Sequence, residues 1–338
     1  MRISFEEMVQ TIQKAFELTG LSPEKARQCA YIHAESSRDG VYSHGLNRVP
    51  RFIDYIQQGW IHLDAEPSLE INLGAIEVYN GNLAPGVLNA TFSMQRATEI
   101  AKQYGLGLVA LNNTNHWMRG GSYGWQAAEK GFIGICWTNT ESCMPSWGAM
   151  NNNIGNNPFV IAIPRKEGHV VLDMAMSLYS YGKLEVTRQK GQKLPFPGGF
   201  DAEGILTDDP AAIELTRRIL PTGFWKGSSL AIVLDLLAGI LSKGKTTAEI
   251  DQFGKGNSVG LSQVFLAIDP LKIVDQDFID QSLMKTIEQL RTSTAVDEKG
   301  EILYPGERSL RTRLENLQMG IPVDEQVWQN VRKLAGDV

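Results

Sequence analysis

The sequence predicts an α/β fold in which helices from both chain ends bracket a central region of strands and helices. Three observations carry this. The first 60 residues repeat apolar positions at helical spacing. Between about 69 and 268, short apolar or alternating runs separate helical segments. After 276 the pattern is helical again. The division that follows is a mainly helical part, 1–70 plus 280–338, and an α/β part, 71–279.

Each element has its own signal. Ser4 and Glu7 stand at capping-box spacing ahead of the first helix. Ser22 followed by Pro23 is a cap and an N1 proline, and that helix should stop near Gly40. "LNRVPRFIDYIQQG" reads as a third helix with Pro50 in its first turn, and with Asn47 as cap His44 stands just outside its mouth. "LEINLGAIEVYNG" alternates like a strand, and "PGVLNATFSMQRATEIAKQYG" is a helix bounded by Pro85 and Gly105. "LGLVALNN", "FIGICWTNT", "FVIAIPR", "HVVLDMAMS" and "SQVFLAID" read as strands, with a helix at "SYGWQAAEKG". "SSLAIVLDLLAGILSKG" is a nearly all-apolar helix, expected to be buried. "QDFIDQSLMKTIEQLRTST" and "DEQVWQNVRKLAG" close the chain as helices. The "GKGNSVG" stretch reads as the most flexible interior loop and a candidate lid.

Composition narrows the function. The chain has 338 residues and a formal net charge of -6, with no basic stripe, so nucleic acid is not an expected partner. No apolar run reaches the ~18 residues of a membrane span, so no membrane partner is expected. The opening segment is amphipathic with acids, unlike a signal peptide. Three cysteines, Cys29, Cys136 and Cys143, are too few and too odd for a disulfide framework; they read as core packing in a reducing cytoplasm.

The motifs exclude more than they assign. "GLGLVA" matches G-x-G-x-x-A, but a helix precedes it and a strand carries it, the reverse of a Rossmann phosphate loop. "GFWKGSS" lacks P-loop spacing, although a lysine at a helix start can seat an anion. The five histidines, His33, His44, His62, His116 and His169, show no metal-ligand spacing, so no metal is expected. G-x-S-x-G is absent. His44 is followed by Arg48 and Arg51, and His116 by Arg119. An imidazole that can pass a proton, beside a guanidinium that can clamp a carboxylate, suits an acidic carbonyl or hydroxy-acid substrate. The plain alternative pairs Arg48 and Arg51 with Asp54 and Glu35 on the surface. "NNNIGNNPFVIAIP" offers amides to a polar ligand, or is simply a turn-rich connection.

"SHGLNRVPRF", "NHWMRGGSYGWQAAEKG", "GNNPFVIAIP", "MSLYSYG" and "LPTGFWKGSS" together resemble the type-2 malate/L-lactate dehydrogenase family, collinearly over essentially the whole chain. "NHWMRGGSYGWQAAEKG" and "FWKGS" look specific to its branch that reduces 2,3-diketo-L-gulonate. The resemblance implies a non-Rossmann, mixed and largely antiparallel sheet flanked by helices, a helical part built from both termini, and a homodimer. It implies a nicotinamide oxidoreductase, with NADH preferred and NADPH possible, whose dinucleotide lies in a cleft shared across the subunits. It makes His44 the proton donor. It lays the cofactor stretch on His169, Val170, Val171, Leu172, Asp173, Met174 and Ala175, on Trp225 and Lys226, and on Gly306, Glu307 and Arg308. Two positions depart from the pattern: Asn156 replaces a threonine, and Met150 a lysine.

The expected chemistry is hydride delivery to the C2 carbonyl of a diketo sugar acid. His44 quenches the developing alkoxide, Arg48 holds the carboxylate or that alkoxide, and His116 with Asn115 orients the substrate. A helix N-terminus would lower the His44 pKa, and an anionic substrate would raise it. Sister malate, lactate, sulfolactate or ureidoglycolate dehydrogenases, a cofactor-free histidine lyase or isomerase, and a sugar-acid binding protein remain alternatives.

Overall fold

The computed structural model describes residues 1–253, 258–296 and 300–337. Its centre is a seven-stranded sheet in the order Ser68–Asn72, Ile76–Asn80, Leu106–Asn115, Val259–Ile268, Ile133–Thr138, Phe159–Ile163, Val170–Met174. Every neighbouring pair is antiparallel except Ile76–Asn80 with Leu106–Asn115. That parallel pair needs a crossover, and helix α4 (Gly86–Tyr104) supplies it. The sheet is therefore mixed and largely antiparallel, as the resemblance implies.

Alternation along the strands builds two apolar layers. Val109 and Leu111 face α4 and helix α5 (Gly121–Glu129), meeting Met94, Ala97 and Ala127. Ala110 and Val264 face the other way, toward Ala231, Leu234 and Ala238 of helix α8 (Trp225–Ser242). A separate core joins the chain ends. Helices α1 (Phe5–Glu17), α2 (Pro23–Arg38) and α3 (Val49–Gln57) pack Met8, Ile12, Phe16, Ala30 and Phe52 against Trp328 and Val331 of helix α12 (Glu325–Leu334). The short pair Arg2–Ile3 with Ile321–Pro322 pins the same two ends. A satellite cluster holds helices α6 (Tyr181–Gln189) and α7 (Pro210–Thr216). Thr247–Ile250 is a one-turn helix α9; α10 (Gln276–Arg291) and α11 (Glu307–Met319) precede α12.

Most start and stop signals hold. Ser4 Oγ accepts the Glu7 N–H and Ser22 Oγ the Lys25 N–H, with Pro23 at N1. Gly105 ends α4 in the left-handed region at φ +88°, so "GLGLVA" runs from a helix cap into a strand and is not a phosphate loop. Three expectations are corrected. The stretch read as one strand from 69 is a hairpin that turns at Gly74, φ +81°. The third helix begins at Val49 behind Arg48, not behind an Asn47 cap, because Tyr42–His44 and Leu46–Arg48 form two short 3-10 helices first. Helix α8 is only half buried. Leu230, Ile232, Val233, Leu236, Leu237 and Ile240 stay exposed, Ile240 at 70%. Apolar composition marks a face as needing cover, but one chain covers only the side that meets the sheet. By length and composition α8 could cross a membrane, yet Asp235 in its middle accepts bonds from Asn139 and Thr247 of this fold. The core of the "GKGNSVG" loop, 254–257, lies outside the described residues.

Candidate active site

The loops that carry His44 and His116 lie more than 70 residues apart in the chain and meet. The His44 turn leaves α2 at Asp39 and Gly40. Gly45 lets it lie against that helix: a Cβ there would sit 2.1 Å from Ser37 Oγ and 2.7 Å from Ser37 N. Ser37 Oγ then accepts the Leu46 N–H at 2.8 Å and fixes the turn. His116 follows the strand Leu106–Asn115, where Asn115 is tied to the carbonyls of Leu83 and Ala84. The two imidazoles stack with centroids 5.7 Å apart and planes 15° from parallel.

Hydrogen bonds assign the rings. His116 Nδ1 accepts the Met118 N–H at 3.0 Å, so in its neutral form the proton is on Nε2. His44 Nδ1 meets Ser43 Oγ at 3.1 Å. The Cβ position of Gly182, in the first turn of α6, is 3.0 Å from Ser43 Cβ, so this serine is held between two elements.

The surroundings are cationic. Burial, then Arg48, Arg119 and His33, bring the His44 pKa down to about 4. Burial, then Arg48, His44, His33 and Arg51, hold His116 well below the ordinary range. Burial and Arg51 also lower Arg48, while Tyr55 and Glu141 act the other way. Of the opposing influences on His44, burial and cations win in the unliganded protein. Among the described residues Arg48 makes no ion pair. The surface pairing of Arg48 and Arg51 with Asp54 and Glu35 does not occur; Glu35 goes to Arg38 at 3.2 Å. Arg119 is not a companion of His116 either. It is buried and turned to Asp39, 2.6 Å away.

The expected cofactor residues also come together. Val170–Met174 is the edge strand, and its Val171 N–H donates to Pro305 O at 2.8 Å. Gly306, at φ +93°, packs so closely that a Cβ would lie 3.0 Å from Val171 N and 3.2 Å from His169 O. Beyond the strand, Met176 and Leu178 exchange backbone bonds with Leu220 and Thr222, which brings the start of α8 alongside. Trp225 is 57% exposed there, with Lys226 Nζ 5.9 Å from its ring centroid and Trp147 nearby. Glu307 is already engaged: it receives Arg311 at 2.6 Å, Arg291 at 3.4 Å and the Tyr304 N–H. His169 Nδ1 accepts the Arg165 N–H, and Arg308 is exposed.

The asparagine loop is mostly structural. Asn157 joins Thr140 N to Ala231 O, and Asn153 pairs with Ser146. Asn156 takes the Met176 N–H on its carbonyl, and Met150 lies exposed against Arg218. Three residues near the site escaped the sequence reading. Ser43 was legible as the neighbour of His44; Glu141 and Asp39 carried no local signal. No group of three or more His, Cys, Asp or Glu among the described residues is placed to hold a metal ion.

Comparison with known proteins decides the family. The malate/L-lactate dehydrogenase family model matches residues 3–332. This chain belongs to the malate/L-lactate dehydrogenase family. It is 47% identical over 334 residues to a 2,3-diketo-L-gulonate reductase of Citrobacter koseri, covering 99% of this chain and 100% of that one. It is 46% identical over the same length to a protein of that name from Pasteurella multocida. Malate dehydrogenase from Pyrococcus horikoshii superposes with TM-score 0.90 at 25% identity, covering 99% of this chain and 95% of that chain. Sulfolactate dehydrogenase from Methanocaldococcus jannaschii gives 0.88 at 27%, covering 100% and 97%. The chain is an oxidoreductase of this family.

Proposed function

We propose that this chain is a cytoplasmic homodimer that reduces a 2,3-diketo sugar acid, 2,3-diketo-L-gulonate foremost, with NADH, NADPH serving as a possible substitute. The observation that carries the reading is the stacked His44–His116 pair beside an arginine that makes no ion pair among the described residues. The full-length likeness to proteins named 2,3-diketo-L-gulonate reductase supports the substrate. Three cysteines without disulfides suit a reducing compartment. The exposed apolar face of α8 suits a second copy of the chain, since a patch of this size is costly in a monomer.

The residues at the edge strand fit a dinucleotide. Gly306 lets backbone come close, Trp225 offers an exposed apolar platform, and Lys226 puts a cation on the first turn of α8. Val170, Val171, Leu172, Asp173, Met174 and Ala175 would line one side. Bound nicotinamide supplies a hydride. Arg48 takes the substrate carboxylate. That carboxylate offsets the cationic field on His44, so the imidazole can be protonated when substrate is present and unprotonated before. His44 then gives a proton to the carbonyl oxygen, and the Nε2–H of His116 orients that oxygen.

The test is loss of absorbance at the nicotinamide band with 2,3-diketo-L-gulonate, malate, pyruvate, sulfopyruvate and the oxidised form of ureidoglycolate offered separately. Oxidation with the diketo acid alone supports the reading. Oxidation only with another acid moves the chain to a sister activity. No oxidation and no dinucleotide binding removes the reading altogether.

A further inference from the structure

A second ionic cluster lies behind the imidazole pair. The Asp39 carboxylate is fully buried and receives four N–H bonds from three guanidiniums. These are Arg38 Nε at 2.9 Å, Arg119 Nη1 at 2.6 Å, and Arg313 Nε and Nη2 at 2.9 and 2.6 Å. Arg38 reaches on to Glu35 at 3.2 Å, Arg119 to Asp173 at 3.4 Å, and Arg313 to the exposed Glu129 at 3.7 Å.

The members are spread over the elements that carry the candidate site. Asp39 ends the helix that leads into the His44 turn. Arg119 is in the loop that holds His116, and its second anion, Asp173, is on the edge strand. Arg313 is on α11, the helix that starts at the Gly306 turn. One carboxylate thus fastens both imidazole loops and the helix of the Gly306 turn, and Arg119 carries the link on to the edge strand. A buried guanidinium held without its anion is strongly unfavourable, so Asp39 also decides where the Arg119 charge rests.

That charge matters at the dyad. The groups facing His44 are His33 from α2, Arg48 and behind it Arg51, His116 and Arg119 from the opposite loop, with Glu141 beside Arg48. Arg119 is the cation among them whose charge is neutralised by fixed protein anions.

We propose that Asp39 is a positioning residue for the reaction: by holding and neutralising Arg119 it keeps the His116 loop in place and limits the positive field on His44. The proposal rests on the dyad reading for its effect on turnover, but not for its effect on the His44 ring.

The experiment follows the His44 ring by NMR in the full-length protein labelled at histidine Cε1, its signal assigned by its loss in His44→Asn. Spectra run from pH 8 to the acid limit of folding. The alkaline limb of kcat is measured on the same proteins. Asp39→Asn leaves Arg119 with Asp173 as its remaining anion, so the positive field on His44 grows and His44 should titrate up to about one pH unit lower. Arg119→Gln removes the cation and leaves its anions, so His44 should titrate about one unit higher. The kcat limb should move with each, and kcat should fall at least tenfold in both. A purely structural fastener would lower Tm in both variants and leave the titration where it was. Unmoved titrations, or shifts of the same sign, overturn the proposal. Should Asp39→Asn not fold, the sign of the Arg119→Gln shift decides alone. A ring titration that moves while the kcat limb does not upholds the influence of Asp39 on His44 and removes His44 as proton donor.

Discussion

Binding of an acid substrate should draw a proton into the protein. The free enzyme holds His44 at a pKa of about 4. At pH 7 such a ring is protonated in about one molecule in a thousand. A donor useful at neutrality needs a value near 7, and a rise of that size corresponds to about 4 kcal/mol. One carboxylate ~4 Å from the imidazolium, at an effective dielectric constant of ~20, supplies about 4 kcal/mol. A single substrate carboxylate held by Arg48 is therefore sufficient, without rearrangement of the loops. The assay titrates oxamate, a carboxylate whose amide carbonyl resists hydride, into protein saturated with NADH. Calorimetry in buffers of different ionisation enthalpy gives the protons taken up. We expect about half a proton per site at pH 7, declining affinity as pH rises further, and no uptake in His44→Asn. Uptake near zero in the unaltered protein, or equal uptake in the variant, would show that the bound carboxylate does not protonate His44.

Other perturbations follow from the same geometry. Gly45→Ala puts a methyl 2.1 Å from Ser37 Oγ, so the turn must move; about 1–3 kcal/mol of stability and most of kcat should be lost. Calorimetry and turnover check this, and a variant with both intact would show that the turn adapts. His33 is buried, with Nδ1 on Cys29 O and Nε2 without a partner, and burial lowers its pKa to about 4. The unfolded chain binds a proton there below ~6.5 and the folded chain does not, so this contribution to stability is whole above ~6.5 and shrinks toward pH 4. His33→Leu should remove about 1.4 kcal/mol per pH unit of acid sensitivity in that window, read as a smaller gap between urea midpoints at pH 5 and pH 8. Sedimentation should show the proposed dimer for the unaltered chain and a monomer for Ile240→Glu on the exposed face of α8; a dimer unchanged by the substitution would place the interface elsewhere.

Local grammar explains which parts of this molecule could be read from its residues. The capped helices at Ser22–Pro23 and Pro85–Gly105 and the short apolar strands stand where period and punctuation put them, because those signals act over a few residues. The hairpin at Gly74 was missed because the alternation runs through a short turn almost unbroken. Helix α8 was misjudged for a different reason: apolar composition does not say which side of a helix is covered, and this chain covers only the side that meets the sheet. The antiparallel order of the sheet was reached through resemblance, since strand neighbours such as Val259–Ile268 and Leu106–Asn115 lie far apart along the chain.

The site shows the same limit from the other side. His44 and His116 drew notice as polar interruptions followed by arginines, but the two arginines have opposite roles. Among the described residues Arg48 makes no ion pair, whereas Arg119 is consumed by Asp39, a partner 80 residues away. Arg313 reaches the same carboxylate across 274 residues. No spacing rule distinguishes a cation meant for substrate from one meant for the interior, because the difference is whether a distant carboxylate arrives beside it. A cation that makes no ion pair among the described residues, with Glu141 acting on it only at longer range, is poorly stabilised beside two neutral imidazoles until an acid binds. That Arg48 makes no ion pair among the described residues, more than the presence of the histidines, is therefore what points this site toward a carboxylate substrate.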